Sequence, residues 1–198
     1  MILYTFIFLL LNLFGADASE MTPPVVSSTP VDAAICLSQE EKQLHEIINA
    51  YRKTKKLKAV PISASLTQVA KAHAVDLMDN YKKSDKCNPH SWSKSSKWSG
   101  CCYTNDHKQA ACMWDKPKEI AGYESPGYEI VYWHSAAAQP EGALKGWQKS
   151  KSHNPIIIND GMWSKVDWNA IGVAIHEQYA VVWFGEMADP KGKAAVCK

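Results

Sequence analysis

Residues 170–184, A-I-G-V-A-I-H-E-Q-Y-A-V-V-W-F, decide the fold class of this chain. Two runs rich in Val, Ile, Tyr and Trp, 170–176 and 179–184, suit a pleated surface, and only Glu177 and Gln178 separate them. Two such runs joined by two residues predict a tight antiparallel hairpin. A shorter run of the same character, residues 128–133, predicts a third strand earlier in the chain.

The segments ahead of these strands are helical. Ser38 with Glu41 is a capping-box pattern, and Leu44, Ile47, Ile48 and Tyr51 follow at the spacing of a buried helical stripe, predicting a helix over 39–55. The cluster Arg52, Lys53, Lys55, Lys56 and Lys58 at its end reads as a solvated last turn that complements the helix dipole. After Pro61, Ser65 is placed to cap a second helix ending near Asn80, with Leu66, Val69, Ala70, Ala72, Val75, Leu77 and Met78 on a broad apolar face. Pro140 in a first turn, with Ala143, Leu144 and Trp147 on one side, predicts a third helix over 140–150. Residues 82–127 mix Ser, Lys, Cys, Asn, Gly and Trp without a sustained period and read as loop. Helices early, strands late and no regular βαβ alternation predict an α+β class with an antiparallel sheet.

Residues 1–18 read as a cleaved secretory signal: an apolar run too short to span a bilayer comfortably, then Ala16-Asp17-Ala18. Residues 19–36, rich in Ser, Thr, Pro and Val, read as a flexible linker, and 37–198 as one domain. No later stretch predicts stable membrane insertion once the signal is cleaved, so the expected location is extracellular. Loss of Asp17 with the signal moves the formal charge from +2 to +3. Lysines spread thinly along the chain, rather than gathered with stacking aromatics, argue against a nucleic-acid partner.

Six cysteines, Cys36, Cys87, Cys101, Cys102, Cys112 and Cys197, predict three disulfides in such a compartment. No C-x-x-C pair is present, which argues against a zinc ribbon or a thioredoxin-like site. Cys36 and Cys197 bracket the domain and can tie its ends, while neighbours Cys101 and Cys102 should take different partners; fifteen pairings remain formally open.

Several short motifs, taken in order, resemble the CAP family of cysteine-rich secretory proteins, antigen 5 and pathogenesis-related proteins (SCP domains). Asn49-Ala50-Tyr51-Arg52, then Leu66 with Ala70-Lys71-Ala72-His73-Ala74, are similar to the first two helices of that family. His90-Ser91 after Cys87 resembles its histidine-serine pair, and Tyr128-Glu129-Ile130 stands where it has Gly-Glu-Asn. Trp147 followed by Ser150-Lys151-Ser152-His153-Asn154-Pro155 is similar to the segment in which a tryptophan helix leads into Ser-Pro-Gly-His. The closing hairpin, with Pro190 and Gly192 beyond it, completes a resemblance over about residues 40–192. It implies a three-layer α-β-α sandwich around a central antiparallel sheet, with His90, Glu129 and His153 in one open cleft. Two departures stand out. Ser150 occupies the position of a second glutamate in many animal and plant members, and their Gly-His-Tyr/Phe-Thr-Gln motif is replaced by Ser152-His153-Asn154. Glu119, Glu124 and Glu141 are the remaining acids placed to supply the missing carboxylate.

Two imidazoles and a carboxylate are ligands for zinc or another divalent cation, so His90, His153 and Glu129 form a candidate metal set; the alternative is a pair of hydrogen-bonded loop histidines holding the cleft walls. His45-Glu46 and His176-Glu177 each begin like H-E-x-x-H, but Asn49 and Ala180 stand where the second histidine belongs. No G-x-S-x-G elbow occurs, and each Cys has a disulfide role, so no nucleophile is identified. Among eight tryptophans, Trp133, Trp147 and Trp183 sit on predicted elements and read as core, whereas Trp92, beside His90, is the candidate for ligand contact. The resemblance implies a non-enzymatic extracellular protein whose cleft binds a small apolar ligand such as a lipid or sterol, a divalent metal or another protein. Two other classes stay open: a metal-dependent hydrolase, and a toxin-like or defence factor acting through the cysteine-rich loop.

Overall fold

A computed structural model of the protein describes residues 35–198; the expected signal and residues 19–34 of the expected linker lie outside the described residues. The hairpin forms the heart of the sheet. Strands β3 (Ala170–His176) and β4 (Tyr179–Gly185) pair antiparallel, and β2 (Gly127–Trp133) pairs antiparallel with the other side of β4, giving the order β2-β4-β3. Glu177 takes the left-handed backbone (φ 48°) that the first position of such a two-residue turn demands.

Every residue of β4 is buried, so its alternating side chains face two different cores. Ala180, Val182 and Phe184 pack with Leu44, Ile48, Ala143, Trp147 and Ile157. These come from α1 (Gln39–Thr54), α5 (Pro140–Lys149) and α6 (His153–Ile158). Tyr179, Val181 and Trp183 pack instead with Leu66, Val69, Ala70 and Leu77 of α2 (Ala64–Asn80), with Met113 of α3 (Ala111–Trp114), and with Ala121 of α4 (Lys116–Ala121). The result is a three-layer α-β-α sandwich. Helix α2 lies very close to the sheet: a Cβ at Gly172 would stand 2.0 Å from the Leu66 carbonyl carbon, so only glycine lets the two backbones approach this far.

Three disulfides are present: Cys36–Cys197, Cys87–Cys102 and Cys101–Cys112. The first sits beside a small parallel pair, β1 (Cys36–Leu37) with β5 (Ala195–Val196), and ties the two ends together. Cys101 and Cys102 do take different partners.

The structure corrects several local expectations. Ser63, not Ser65, caps α2: its Oγ accepts from the Leu66 N–H at 2.9 Å. Ser65 lies within the first turn and gives its hydroxyl and its N–H to Asp189, at 2.9 and 2.7 Å, and Ser63 Oγ donates to the same carboxylate at 2.6 Å. Residues 82–127 are not all loop, because α3 and α4 lie inside them; four and six residues are too few to show a helical period. Helix α6 was also not expected. Pro155 sits in its first turn, where an N–H has no partner to lose, and Asn159 ends it in the left-handed region (φ 49°). Trp147 and Trp183 are core residues, but Trp133 is 55 % exposed at the far end of the edge strand β2.

Arg52 departs furthest from its expected solvated role, being 1 % exposed. Its guanidinium donates from Nε to the Lys58 carbonyl at 3.1 Å, and from Nη1 to the Ile157 carbonyl and Asn159 Oδ1, both at 2.6 Å. A cation is thereby set against the last turn of α6, the end of a helix that favours positive charge. Tyr51 donates its hydroxyl to Asn154 Oδ1 of the same helix at 3.0 Å. Tyr51 and Arg52 therefore act as a clamp on α6, while Asn49 bonds both the N–H and the carbonyl of Val60.

Two predictions follow from these contacts. Arg52→Met keeps the apolar stem but strands three acceptors in or near the interior, and a loss of about 3 kcal/mol or more is expected in urea unfolding. A near-wild-type midpoint would show that the clamp carries no energy. Burial opposes ionisation of Asp189, yet hydrogen bonds from Ser63, Ser65 and Lys191 outweigh it and hold the carboxyl below its ordinary value. A depressed carboxyl stabilises the fold above its unfolded pKa, and that contribution disappears as pH falls through the folded value. Asp189→Asn should therefore cost about 1–2 kcal/mol at pH 7, with the gap to wild type closing below about pH 4. A gap that does not change with pH would contradict this.

Candidate functional site

The edge strand β2 carries Glu129 between Tyr128 and Ile130, which face the α1, α5 and α6 layer; its own side chain therefore turns toward α2. That side chain is fully buried. One carboxylate oxygen accepts from His73 Nδ1 of α2, and the other accepts from His90 Nδ1 at 2.8 Å. Backbone support comes from α3, where Met113 Sδ accepts the Glu129 N–H at 3.3 Å.

His90 reaches this carboxylate from the disulfide-held segment after Cys87. Its N–H donates to Asn88 Oδ1 at 3.0 Å, and its ring lies edge-on to Tyr103, 5.5 Å between centres. His153 approaches from the opposite layer as the first residue of α6. The two rings, His90 and His153, are nearly perpendicular (82°) with centres 6.3 Å apart. Residues from both helical layers thus meet at the edge strand.

Ser150 explains the missing glutamate in structural terms. Its Oγ accepts from the His153 N–H at 3.2 Å and its carbonyl from the Asn154 N–H at 3.1 Å, so it holds the turn that leads into α6 rather than serving as a second acid. Among the described residues, none of the three other candidate acids takes over. Glu119 pairs with Lys116 and accepts from the Ser99 N–H, Glu124 pairs with Lys118, and Glu141 accepts from Gln43. Both partial zinc-protease patterns are likewise structural: His45 bonds the Val60 carbonyl at 2.9 Å, and Glu177 forms the hairpin turn.

Burial alone would raise the Glu129 carboxyl. The charge and hydrogen bond of His73, followed by the hydrogen bond and charge of His90, outweigh it and hold the group below its ordinary value. His153 is pushed down to about 4, chiefly by burial and then by repulsion from His90, with Glu129 acting weakly the other way. At neutral pH His153 is consequently an uncharged imidazole with a free lone pair.

The expected ligand set is only partly assembled. Among the described residues, no three His, Cys, Asp or Glu side chains are arranged to hold an ion. Both oxygens of Glu129 already face imidazoles, so the donors left toward the cleft are His90 Nε2 and the His153 ring. Trp92 is corrected from a ligand-contact residue to a packing one: it is 4 % exposed and stacks on His73, with centres 4.0 Å apart and planes within 9°. His73 is the residue that sequence reasoning passed over. It falls seven after Leu66 and four before Leu77, in the middle of the buried stripe, where a histidine needs a polar partner.

Comparison with known proteins matches this architecture. Residues 45–185 match the model of the CAP, or cysteine-rich secretory protein, family. No curated protein is significantly similar in sequence. Among solved structures, the chain is similar to an extracellular SCP-domain protein of Bacillus anthracis, with TM-score 0.51 and 17 % identity over 75 % of this chain. It spans 40 % of that protein's length. It is also similar to an outer surface protein of Borrelia burgdorferi, with TM-score 0.50 and 20 % identity over 74 % of this chain and 92 % of the other. At such identities the likeness to these structures is one of fold. With the family model matched from the first helix through the last strand of the hairpin, the chain belongs to the cysteine-rich secretory protein (CAP) family.

Proposed function

We propose that this chain is a secreted, non-catalytic binding protein whose cleft takes a divalent cation between His90 and His153, leaving the ion's other positions open to a ligand or a partner. The observation that carries the reading is the pair of imidazoles from opposite layers, 6.3 Å apart, one of them anchored through Nδ1 on a buried carboxylate. With metal–nitrogen bonds of about 2.0–2.1 Å, two ring centres on a tetrahedral ion lie about 5 Å apart, so the two rings would close by about 1 Å to share a zinc. A histidine ligand held through its second nitrogen by a carboxylate is the usual arrangement of metal sites. A bound zinc would supply a Lewis-acidic centre; the chain supplies orientation, and Glu129 lies behind His90 rather than on the ion.

A non-catalytic role is supported by the state of that carboxylate: buried, with both oxygens on histidines, it has no free face with which to move a proton on a substrate. Secretion is supported by three disulfides, the apolar first residues, and neighbours described as extracellular or outer-surface proteins. A second reading, capture of a small apolar ligand such as a lipid or sterol, is favoured by the aromatic edge beside Glu129. There Trp114, 43 % exposed, approaches Tyr128, which in turn packs edge-on to Trp163, 5.0 Å away.

Zinc titration by calorimetry on the oxidised domain at neutral pH tests the metal reading. Saturable binding of about one ion per chain is expected, lost in His90→Ala and in His153→Ala while near-ultraviolet circular dichroism stays unchanged. No binding, or binding that survives both substitutions, would leave the apolar ligand as the reading to pursue.

A further inference from the structure

The lysines are spread along the whole chain, but the charge they leave over is not. Residues 82–102 carry five lysines, Lys82, Lys83, Lys86, Lys94 and Lys97, and one acid, Asp85, a formal +4. The described residues 35–198 keep all 22 bases of the chain and lose only Asp17, Glu20 and Asp32 of its 20 acids, a formal +5. Everything outside this one segment is therefore left with +1. All five lysines are exposed, and none of their ammonium groups bonds to a partner among the described residues. By contrast Lys42, Lys58, Lys108 and Lys118 each face a carboxylate. The other dense basic run, 52–58, is largely used up: Arg52 is buried, Lys58 pairs with Asp167, and Lys55 lies over the Tyr51 ring.

Three links fold the basic segment onto residues 100–102. Cys87 is bonded to Cys102, and Trp92 and Cys101 exchange backbone hydrogen bonds of 2.9 and 3.0 Å. Lys94 lies so close to Gly100 that a Cβ there would stand 2.8 Å from the Lys94 nitrogen. The lysines at 82–86 and those at 94 and 97 thus border one short strip. Two open grooves flank it and meet between Ser93 and Lys94. One, of about 590 Å³, is lined by Lys94, Lys97, Trp98, Ser95, Ser96 and Ser99. The other, of about 490 Å³, has Lys82, Asn80, Ser84 and Ser93 in its walls. The acids that line these grooves are already engaged: Glu119 pairs with Lys116, and buried Asp76 accepts from Asn80 and from the Ser93 N–H. Counting Asp79 from the end of α2, the surface still keeps +3.

What the segment lacks narrows its partner. Between 82 and 102 there is no Leu, Ile, Val, Met or Phe to enter a bilayer. Its two indole rings are not free to stack on bases: Trp92 is buried, and half-buried Trp98 lies edge-on to it and donates from Nε1 to the Ser93 carbonyl at 3.0 Å. Ammonium groups and serine hydroxyls around two consecutive grooves suit a hydrated chain that carries repeated negative charge and hydroxyls of its own. We propose that residues 82–102 form a docking surface for an anionic polysaccharide. The choice of an extracellular polymer rests on the secreted reading; the lysines and serines that make the surface are separate from the His90–His153 pair and need no metal.

The test is calorimetry on the full oxidised domain, with a chelator present, using heparin, whose charge is mostly sulfate, and polygalacturonate, whose charge is carboxylate. Saturable binding of at least one chain is expected, weakening about tenfold or more between about 50 and 200 mM salt, and the preferred chain identifies the anionic group that is read. Replacing Lys82, Lys94 and Lys97 together by Gln should lower affinity about tenfold or more, whereas Gln at Lys53, Lys55 and Lys56, which removes the same charge from the end of α1, should change it less than about twofold. Both variants alter only exposed ammonium groups, and near-ultraviolet circular dichroism checks that each keeps the fold. Equal losses in the two variants would reduce the effect to net charge and overturn the proposal, as would binding to neither chain. Tighter binding to phosphatidylserine vesicles or to single-stranded DNA than to either polysaccharide would overturn it in favour of a membrane or a nucleic acid. Secretion is scored separately, by recovery of the mature chain from culture medium, so the two readings fail independently.

Discussion

Burial of β4 on both faces is the constraint from which the rest of the domain follows. A strand with no solvent-facing side must alternate between two separate cores, and each core must be closed by helices. This sets α2 against one face and α1, α5 and α6 against the other. It also leaves β2 as an edge strand with a single partner, and the edge is where side chains from both layers can meet. Glu129, His90 and His153 occupy that junction.

Two ionised groups are carried into the interior, and they are stabilised in different ways. Arg52 is matched by the Ile157 carbonyl and the Asn159 amide at the end of α6 and by the Lys58 carbonyl, and no carboxylate among the described residues touches it. Glu129 is matched by two imidazoles, one buried and one at the cleft. The two groups act on the two halves of the same site. Arg52 secures the helix that presents His153, and Glu129 secures the orientation of His90.

Much of the fold was legible because its signals are local. The capping box at Ser38 and Glu41, the stripe from Leu44 to Tyr51 and the two-residue hairpin appear as read. What escaped was short or depended on distant partners. Helices α3, α4 and α6 span too few residues for a period to emerge. The choice of Ser63 over Ser65 as cap depends on Asp189, more than a hundred residues away. Arg52 looked like one more cation in a basic cluster because the carbonyl it serves belongs to Ile157.

By itself the sequence determined the class of the domain and its family resemblance, because these rest on periodicity and on ordered short motifs; the resemblance in turn implied His90, Glu129 and His153 as neighbours in one cleft. Only the tertiary structure decided how the six cysteines pair, that Ser150 accepts from the first N–H groups of a helix in place of a second acid, that Trp92 packs on His73, and that His73 stands behind Glu129. Each of those outcomes turns on which groups distant in sequence share a hydrogen bond or a stacked ring. Such pairings are set by how α2 and the sheet approach one another, a distance that no local pattern encodes.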